Sequence, residues 1–440
     1  MAVSPIDSRY KTEMNSLFDE KKKLELWMEV EAALARAHEK LGHIPQGSAD
    51  EIAAGAKKVE LARAKEIEDE IHHDLMAMVR ALSEKCGKSS AYVHLGATSY
   101  DIEDTALAMQ MRDAGGLLRS RLEQALDVLQ NLAKEKKNLV CVGRTHGQHA
   151  VPTTYGMKFA LYYDALKRNL MRLDNAISQI SYGKMSGAVG TMATFGEDAI
   201  KLQELAMADL GLKPAPITCQ VIGRDRHAYM IFCIALIASS IEQIAKEIRN
   251  LSRNEILEVA EGFSKKQVGS STMPQKRNPH KSERLCSLAR LVRSNASVAL
   301  ENIPLEHERD LTNSANERFI IPESFILCDY MLLQAHKVLS ELEFFEENIE
   351  QNLQLSQGAI MAERVMIKLA EKGMGRQEAH ELMREAAKEA FSQKKHLKEI
   401  LSHHEEASKY LSEAELESLF EPKTYIGKAG EIVKKVIGDD

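Results

Sequence analysis

Residues 228–251 read AYMIFCIALIASSIEQIAKEIRNL. Met230, Ile234, Ile237, Ile241, Ile244, Ile248 and Leu251 recur at alternating spacings of four and three, the seam of a helix packed against others at a shallow angle. Such a stripe belongs in a core. Continued through residue 262 the helix is expected to run roughly 57 Å, longer than a small domain is wide, and helices of that length bury apolar stripes against partner subunits. Leu107, Met111, Ala114, Leu118, Leu122, Ala125, Leu129 and Leu132 repeat the pattern, with Gly115 and Gly116 as a weak point or a close-packing contact.

Helix breakers are scarce around both stripes. The chain has 440 residues but only 24 glycines and 10 prolines, too few for the turns of a sandwich or barrel. No proline falls between Pro45 and Pro152, Pro152 and Pro214, Pro216 and Pro274, or Pro322 and Pro422, and long helices fit each gap. Short strand pieces are expected only near 139–142 and 180–183. The fold class is therefore all-α. We expect three parts: a helical N-terminal domain at 1–98, with breaks near Gly42 to Pro45 and Gly87; a central long-helix bundle at 99–356 carrying a polar loop at 269–279; and a helical C-terminal domain at 357–440, with a turn at Gly373 to Gly375.

Charge and cysteine usage narrow the function classes. With 58 basic and 65 acidic side chains the formal charge is −7, which argues against a generalised nucleic-acid or anionic-membrane surface. The longest apolar run, Ala228 to Ala238, falls short of the roughly 18 to 20 residues that cross a bilayer, so no membrane segment is expected. Six widely spaced cysteines without a C-x-x-C pair, and an N-terminus unlike a signal peptide, predict a reduced, cytoplasmic protein.

Polar segments between the helical blocks carry the chemistry. Gly269-Ser270-Ser271-Thr272-Met273-Pro274-Gln275-Lys276-Arg277-Asn278-Pro279 offers backbone N–H groups to an anion, with Lys276 adding a charge and Asn278 an amide donor. An inter-helix loop with a proline stop accounts for the same residues. In Gly143 to Thr154, His146 stands beside a glycine, where an imidazole can approach a ligand and exchange a proton near neutral pH. His146 and His149 could instead be two metal ligands, but no cysteine or carboxylate nearby in sequence completes a set, and a surface turn with incidental histidines accounts for them better.

His72-His73-Asp74 and His94 to Asp101 form two further segments. Thr98 or Ser99 can cap the helix expected to follow, and a helix N-terminus also binds anions. An ion pair or a core histidine explains His73-Asp74 without a ligand. His307-Glu308-Arg309-Asp310, continuing to Ser314 and Arg318, brings guanidinium groups suited to phosphate or carboxylate, or to exposed salt bridges. Many of the 15 histidines fall in or beside these segments, which argues for a site. The sequence has no Walker loop, dinucleotide fingerprint, G-x-S-x-G elbow or zinc-finger spacing.

The 269–279 segment resembles the signature loop G-S-S-x-x-P-x-K-x-N of the fumarase/aspartase superfamily, and the segments around Thr98-Ser99 and Thr145-His146 resemble its other two characteristic regions, in order. Within it, Ser8-Arg9-Tyr10, His73-Asp74, Gln220 with Arg224 to His227, and His307 to Arg318 are most similar to the adenylosuccinate lyase family. The resemblance implies a three-domain fold whose central helices form a twenty-helix core in a homotetramer, with active sites shared between subunits. It implies β-elimination of fumarate from adenylosuccinate, giving AMP, and from the imidazole intermediate SAICAR, giving AICAR, with no metal or organic cofactor.

The same resemblance assigns roles. Ser270 is implied as general base and His146 as general acid, with His73 supporting the acid or touching substrate, and Glu283 orienting His146 from behind. Lys276 and Asn278 would meet the developing aci-carboxylate, a charge that preplaced donors stabilise by roughly 2.7 to 4 kcal/mol each. Thr98, Ser99, Thr145, Gln220 and Asn278 are implied for the succinyl carboxylates. Arg9, Tyr10, His94, Arg309, Ser314 and Arg318 are implied for the nucleotide, with His72 and Asp74 also at the substrate. His72 stands where many relatives carry arginine or another polar residue.

Overall fold

The computed structural model describes residues 4–263 and 271–439. It is built mainly of helices, and its chain divides into two compact units. The first comprises residues 1–123, 168–242 and 285–334, and the second 124–167, 243–284 and 335–440.

In the first unit, helices α1 (Glu20–Lys40), α2 (Ser48–Ala56), α3 (Leu61–Ile71) and α4 (Asp74–Ser83) precede the long helix α5 (Ser99–Glu135), which continues into the second unit. α1 stops before Gly42, whose φ of 78° is a conformation an L side chain resists. Leu34 on α1, Leu75, Met78 and Leu82 on α4, and Ile102 and Met109 on α5 share one buried core with Leu202, Ala206 and Met207 further along the chain. The first turns of α5 are thus packed into the core of the N-terminal helices.

The remaining long helices are α6 (Tyr155–Ile180), α8 (Asp225–Leu251), α9 (His280–Glu301) and α10 (Ser314–Ser340), with the shorter α7 (Ala199–Asp209) between α6 and α8. All seven apolar residues of the quoted stripe are buried on α8. In the second stripe Met111, Ala114, Leu118, Leu122, Ala125 and Leu129 are buried, while Leu107 and Leu132 are half-buried. A Cβ on Gly115 would come within 2.7 Å of Ile177 Cγ1, whereas one on Gly116 would meet nothing within 4 Å among the described residues. Gly115 is therefore the close-packing contact and Gly116 is not.

Two expectations are corrected. α8 ends at Leu251, about 40 Å long, instead of running to residue 262. The polar run Ser252-Arg253-Asn254-Glu255 gives the stripe no continuation, Leu257 takes a φ of 40°, and Glu258 turns inward to bind other groups. Pro322 lies inside α10 and does not end it, at the cost of the N–H that would bond the Arg318 carbonyl. α8 is also long and apolar enough to cross a membrane by composition, with a mean hydropathy of 1.7 over its most apolar window, but most of that window is buried within the protein.

The strand expectation was too small. In the second unit, β1 (Val140–Thr145) and β2 (Gln148–Thr154) form an antiparallel hairpin with Thr145 opposite Gln148. Gly143 and Pro152 mask its alternation, and the register shifts between Val142 and Arg144. Two-residue pairs add β3 (Tyr182–Gly183) beside β4 (Lys213–Pro214), and β5 (Val259–Ala260) beside β6 (Glu343–Phe344). The tail folds as α11 (Glu346–Gln354), α12 (Ala362–Glu371), α13 (Arg376–Gln393), α14 (Leu397–Ser402), α15 (Glu405–Ser408), α16 (Glu413–Leu419) and α17 (Ala429–Ile437). Val140 and Val142 of β1 share a core with Leu353, Val365, Leu382 and Leu401.

Candidate active site

Two carboxylates set the first turns of α5. Asp101 is fully buried and accepts from Lys184 Nζ at 2.5 Å, Ser186 N at 2.8 Å and Thr98 N at 2.9 Å. The charge that reaches back to the Thr98 N–H is thus a carboxylate three residues on, the reverse arm of a capping box. One turn later Asp104 takes a bidentate pair from Arg224, Nη2 to Oδ1 at 2.8 Å and Nη1 to Oδ2 at 2.9 Å, while Arg224 Nε lies 3.0 Å from Glu317 Oε1 on α10. Burial opposes charge on Asp104, but Arg224 outweighs it and holds the carboxyl below its ordinary range.

With Asp101 and Asp104 turned inward, the neighbouring Tyr100 and Glu103 face an open cleft of about 460 Å³. Its wall gathers His72, His73 and Asp74 from the junction of α3 and α4, Thr98 and Ser99 from the start of α5, and Gln220, Arg309, Ser314 and Arg318. Nine residues expected from sequence at the site, separated by up to 246 positions, are brought together here. His73 caps α4, its Nδ1 accepting from Met76 N at 3.3 Å. Asp74 accepts from Arg318 Nη2 at 3.1 Å and lies 3.7 Å from Lys23 Nζ. Burial pushes the Asp74 carboxyl up, but Lys23, the Leu75 N–H and Arg318 hold it below the usual range.

Arg9, Tyr10 and His94 do not line this cleft. Arg9 is exposed, and the Tyr10 ring packs edge-on against Tyr330 at 5.1 Å. His94 Nδ1 lies 2.6 Å from the buried Glu31 Oε1, and its backbone N–H donates to Oε2 at 3.0 Å. Burial disfavours charge on His94, yet the Glu31 hydrogen bond and charge lift its pKa above the ordinary value.

The second unit holds the other expected residues. His146 and Gly147 are the two central residues of the β1–β2 turn, with φ of 55° and 74°. Positive φ at both positions suits the tight turn of a hairpin, a geometry a non-glycine residue takes at some strain. Thr145 and His146 are therefore displayed, exposed, at a hairpin tip. The hairpin root is clamped by the fully buried Glu258, which accepts from Arg144 Nη2 at 2.5 Å, Tyr155 Oη at 2.5 Å and Asn352 Nδ2 at 2.9 Å. Burial and Glu258 together push the Tyr155 phenol far above its ordinary range, so it stays a donor.

Ser270 and Gly269 lie outside the described residues. On one side of them the backbone is tied down where Phe344 on β6 pairs with Val259 on β5. On the other, Glu261 Oε1 accepts from Ser282 N at 2.6 Å and caps α9. Between these, Lys276 is exposed, Asn278 half-buried, and Arg277 Nη2 donates to Glu343 at 2.9 Å. Glu283 is exposed on the first turn of α9.

Sequence reading missed Tyr100, Glu103, Glu68 and Leu311, which also line the cleft. A helical period counted from Ser99 would have placed 100 and 103 on one face. Burial and then Asp74 lift the Glu103 carboxyl to about 7, against the pull of Lys23 and Arg318. A further signal is conformational: His72, His94, His146 and His307 all have positive φ, half of the non-glycine residues that do so among those described. Left-handed backbone away from glycine concentrates where the fold over-determines a site.

Residues 6–293 match the family model described as lyase, and residues 358–436 that of the adenylosuccinate lyase C-terminus. The chain is 56% identical over 440 residues to the adenylosuccinate lyase of Pyrococcus abyssi, covering 99% of this chain and 98% of that one. It is 49% identical to that of Methanocaldococcus jannaschii (99% and 96% covered) and 40% identical to that of Thermotoga maritima (96% and 97% covered). Among solved structures, a fumarate lyase from Mesorhizobium sp. BNC1 superposes with a TM-score of 0.90 at 32% identity, over 97% of this chain and 98% of that one. A 3-carboxy-cis,cis-muconate lactonizing enzyme from Pseudomonas putida does so with a TM-score of 0.90 at 31% identity, over 98% of each chain. Matched by one family model over most of its length and nearly end to end by these relatives, the chain belongs to the adenylosuccinate lyase family.

Proposed function

We propose that the protein cleaves adenylosuccinate to AMP and fumarate, and SAICAR to AICAR and fumarate. The observation that carries this reading is the cleft in which Thr98, Ser99, Gln220, Arg309, Ser314 and Arg318 converge, on a chain matched end to end by adenylosuccinate lyases. Hydroxyls, an amide and two guanidinium groups are what a substrate with two carboxylates and a phosphate requires.

Ser270 takes the proton from Cβ of the succinyl group, leaving an aci-carboxylate. Lys276 and Asn278 stabilise that charge. As its electrons form the new double bond, the C–N bond breaks and His146 gives its proton to the departing nitrogen, a role worth about 10² to 10⁴ in rate. His73 supports the acid or touches substrate, and Glu283 orients His146. Thr98, Ser99, Thr145 and Gln220 hold the carboxylates. Arg309, Ser314 and Arg318 serve the nucleotide, beside His72 and Asp74; the family likeness adds Arg9, Tyr10 and His94, which lie off this cleft. The steps use side chains alone.

Three segments, 1–98, 99–356 and 357–440, carry these parts in our reading, and the match of 358–436 to the family C-terminus supports the last. A homotetramer with shared sites fits the assignment of roles to residues far apart in the chain. A cytoplasmic setting fits six free cysteines. The test incubates purified protein with adenylosuccinate and assays AMP and fumarate together. Stoichiometric release of both, lowered by orders of magnitude in Ser270→Ala with substrate binding kept, is the expected result. If neither product forms, the substrate assignment is wrong, and argininosuccinate or a carboxymuconate comes next.

A further inference from the structure

Tyr100 has no part in the steps above. The guanidinium carbon of Arg309 lies 3.5 Å from the centre of the Tyr100 ring, a van der Waals stack of a cation on a π face. Arg309 Nη1 donates to Gln220 Oε1 at 3.0 Å, and the Gln220 N–H donates to the Glu308 carbonyl at 3.2 Å. Arg309 Nε and Nη2 are shut off from solvent and meet no acceptor among the described residues. These two nitrogens form one edge of the guanidinium, the fork that takes two oxygens of an anion.

The surroundings suit a phosphate. Arg318 shares the cleft, and Ser314, whose Oγ is 3.5 Å from Tyr100 Oη, opens α10, a helix of 27 residues with its positive end at the cleft. The next residue, Asp101, is locked to Lys184 and Ser186, which fixes the backbone that carries Tyr100.

We propose that Tyr100 is a positioning residue whose ring holds the Arg309 guanidinium so that Nε and Nη2 together receive the phosphate of the nucleotide. A ring on one face and an amide at Nη1 restrict rotation of the guanidinium, so little rotamer freedom is lost on binding. The inference rests on the adenylosuccinate reading for the identity of the nucleotide.

The test titrates AMP, adenosine and fumarate into wild type, Tyr100→Phe, Tyr100→Ala and Tyr100→Leu. Tyr100→Phe keeps the stack and should hold AMP within about twofold of wild type. Tyr100→Ala and Tyr100→Leu should weaken AMP by about tenfold while leaving adenosine and fumarate unchanged, and raise KM with kcat within about threefold. Leu keeps apolar bulk, so a folding failure of the Ala variant leaves the question answerable. Unchanged AMP affinity in a folded variant, or a loss shared by adenosine or confined to fumarate, overturns the proposal. Wild-type turnover run alongside separates the two readings: its absence overturns the proposed function, whereas AMP affinity reports on Tyr100 in either case.

Discussion

Asp101 and Lys184, both closed off from solvent, meet at 2.5 Å beneath the first turn of α5. Asp101 also accepts from backbone N–H groups, so the pair fixes where Thr98, Ser99 and Tyr100 stand. Lys184→Met strands a carboxylate in the core and should cost about 3 to 5 kcal/mol, measured by urea unfolding at pH 7. Asp101→Asn with Lys184→Met should recover part of that loss. A single-variant cost below about 1 kcal/mol would mean water reaches the pair.

Two adjacent glycines of α5 should behave oppositely. Gly115→Ala drives a Cβ against Ile177 and is expected to destabilise by about 1 to 3 kcal/mol. Gly116→Ala enters open space in a helix interior and should stabilise by about 0.5 to 1 kcal/mol. Thermal melts of the two variants decide it, and equal effects would contradict the packing.

Glu103 titrates in the cleft, at about 7 in the folded chain against an ordinary 4.5. The folded state therefore holds this proton more tightly than the unfolded one. Its penalty is absent below pH 4.5, grows through the interval, and is complete above 7. Glu103→Gln removes the titration, so the variant should melt higher than wild type at pH 8 and lose that advantage by about pH 4.5. A Tm difference independent of pH would rule out the burial and Asp74 as its cause.

If active sites are shared between subunits, mixing inactive His146→Gln protein with inactive Ser270→Ala protein should restore part of the activity. The measurement is fumarate release after subunit exchange has been verified by mass. No recovery would place both residues in one chain's site.

Much of this was legible in the sequence because helices announce themselves by period. Met230 to Leu251 needed only spacing, and α8 buries those residues. Its end was not legible, because Ser252 to Glu255 is compatible with an exposed helical turn; Glu258's bonds to Arg144 and Tyr155 draw the following chain inward. The hairpin was half-seen for a similar reason: Gly143 and Pro152 interrupt the alternation by which a strand is read.

At the site, residue types were legible and their grouping was not. His73, Thr98, Gln220, Arg309 and Arg318 stood out by chemistry and by likeness to a family, and the cleft brings them together. Tyr100 and Glu103 did not, because an aromatic and an acid in a helix are ordinary residues until a partner faces them.

Sequence alone therefore determined the helical class and the family, since period and local motif are properties of neighbouring positions. Only the tertiary structure decided that His94 serves Glu31, that Asp101 and Asp104 turn inward while Tyr100 and Glu103 face the cleft, and that Arg309 lies against a ring. Burial, pairing and the pKa values that follow depend on residues distant in the chain, and those distances close only when the helices pack.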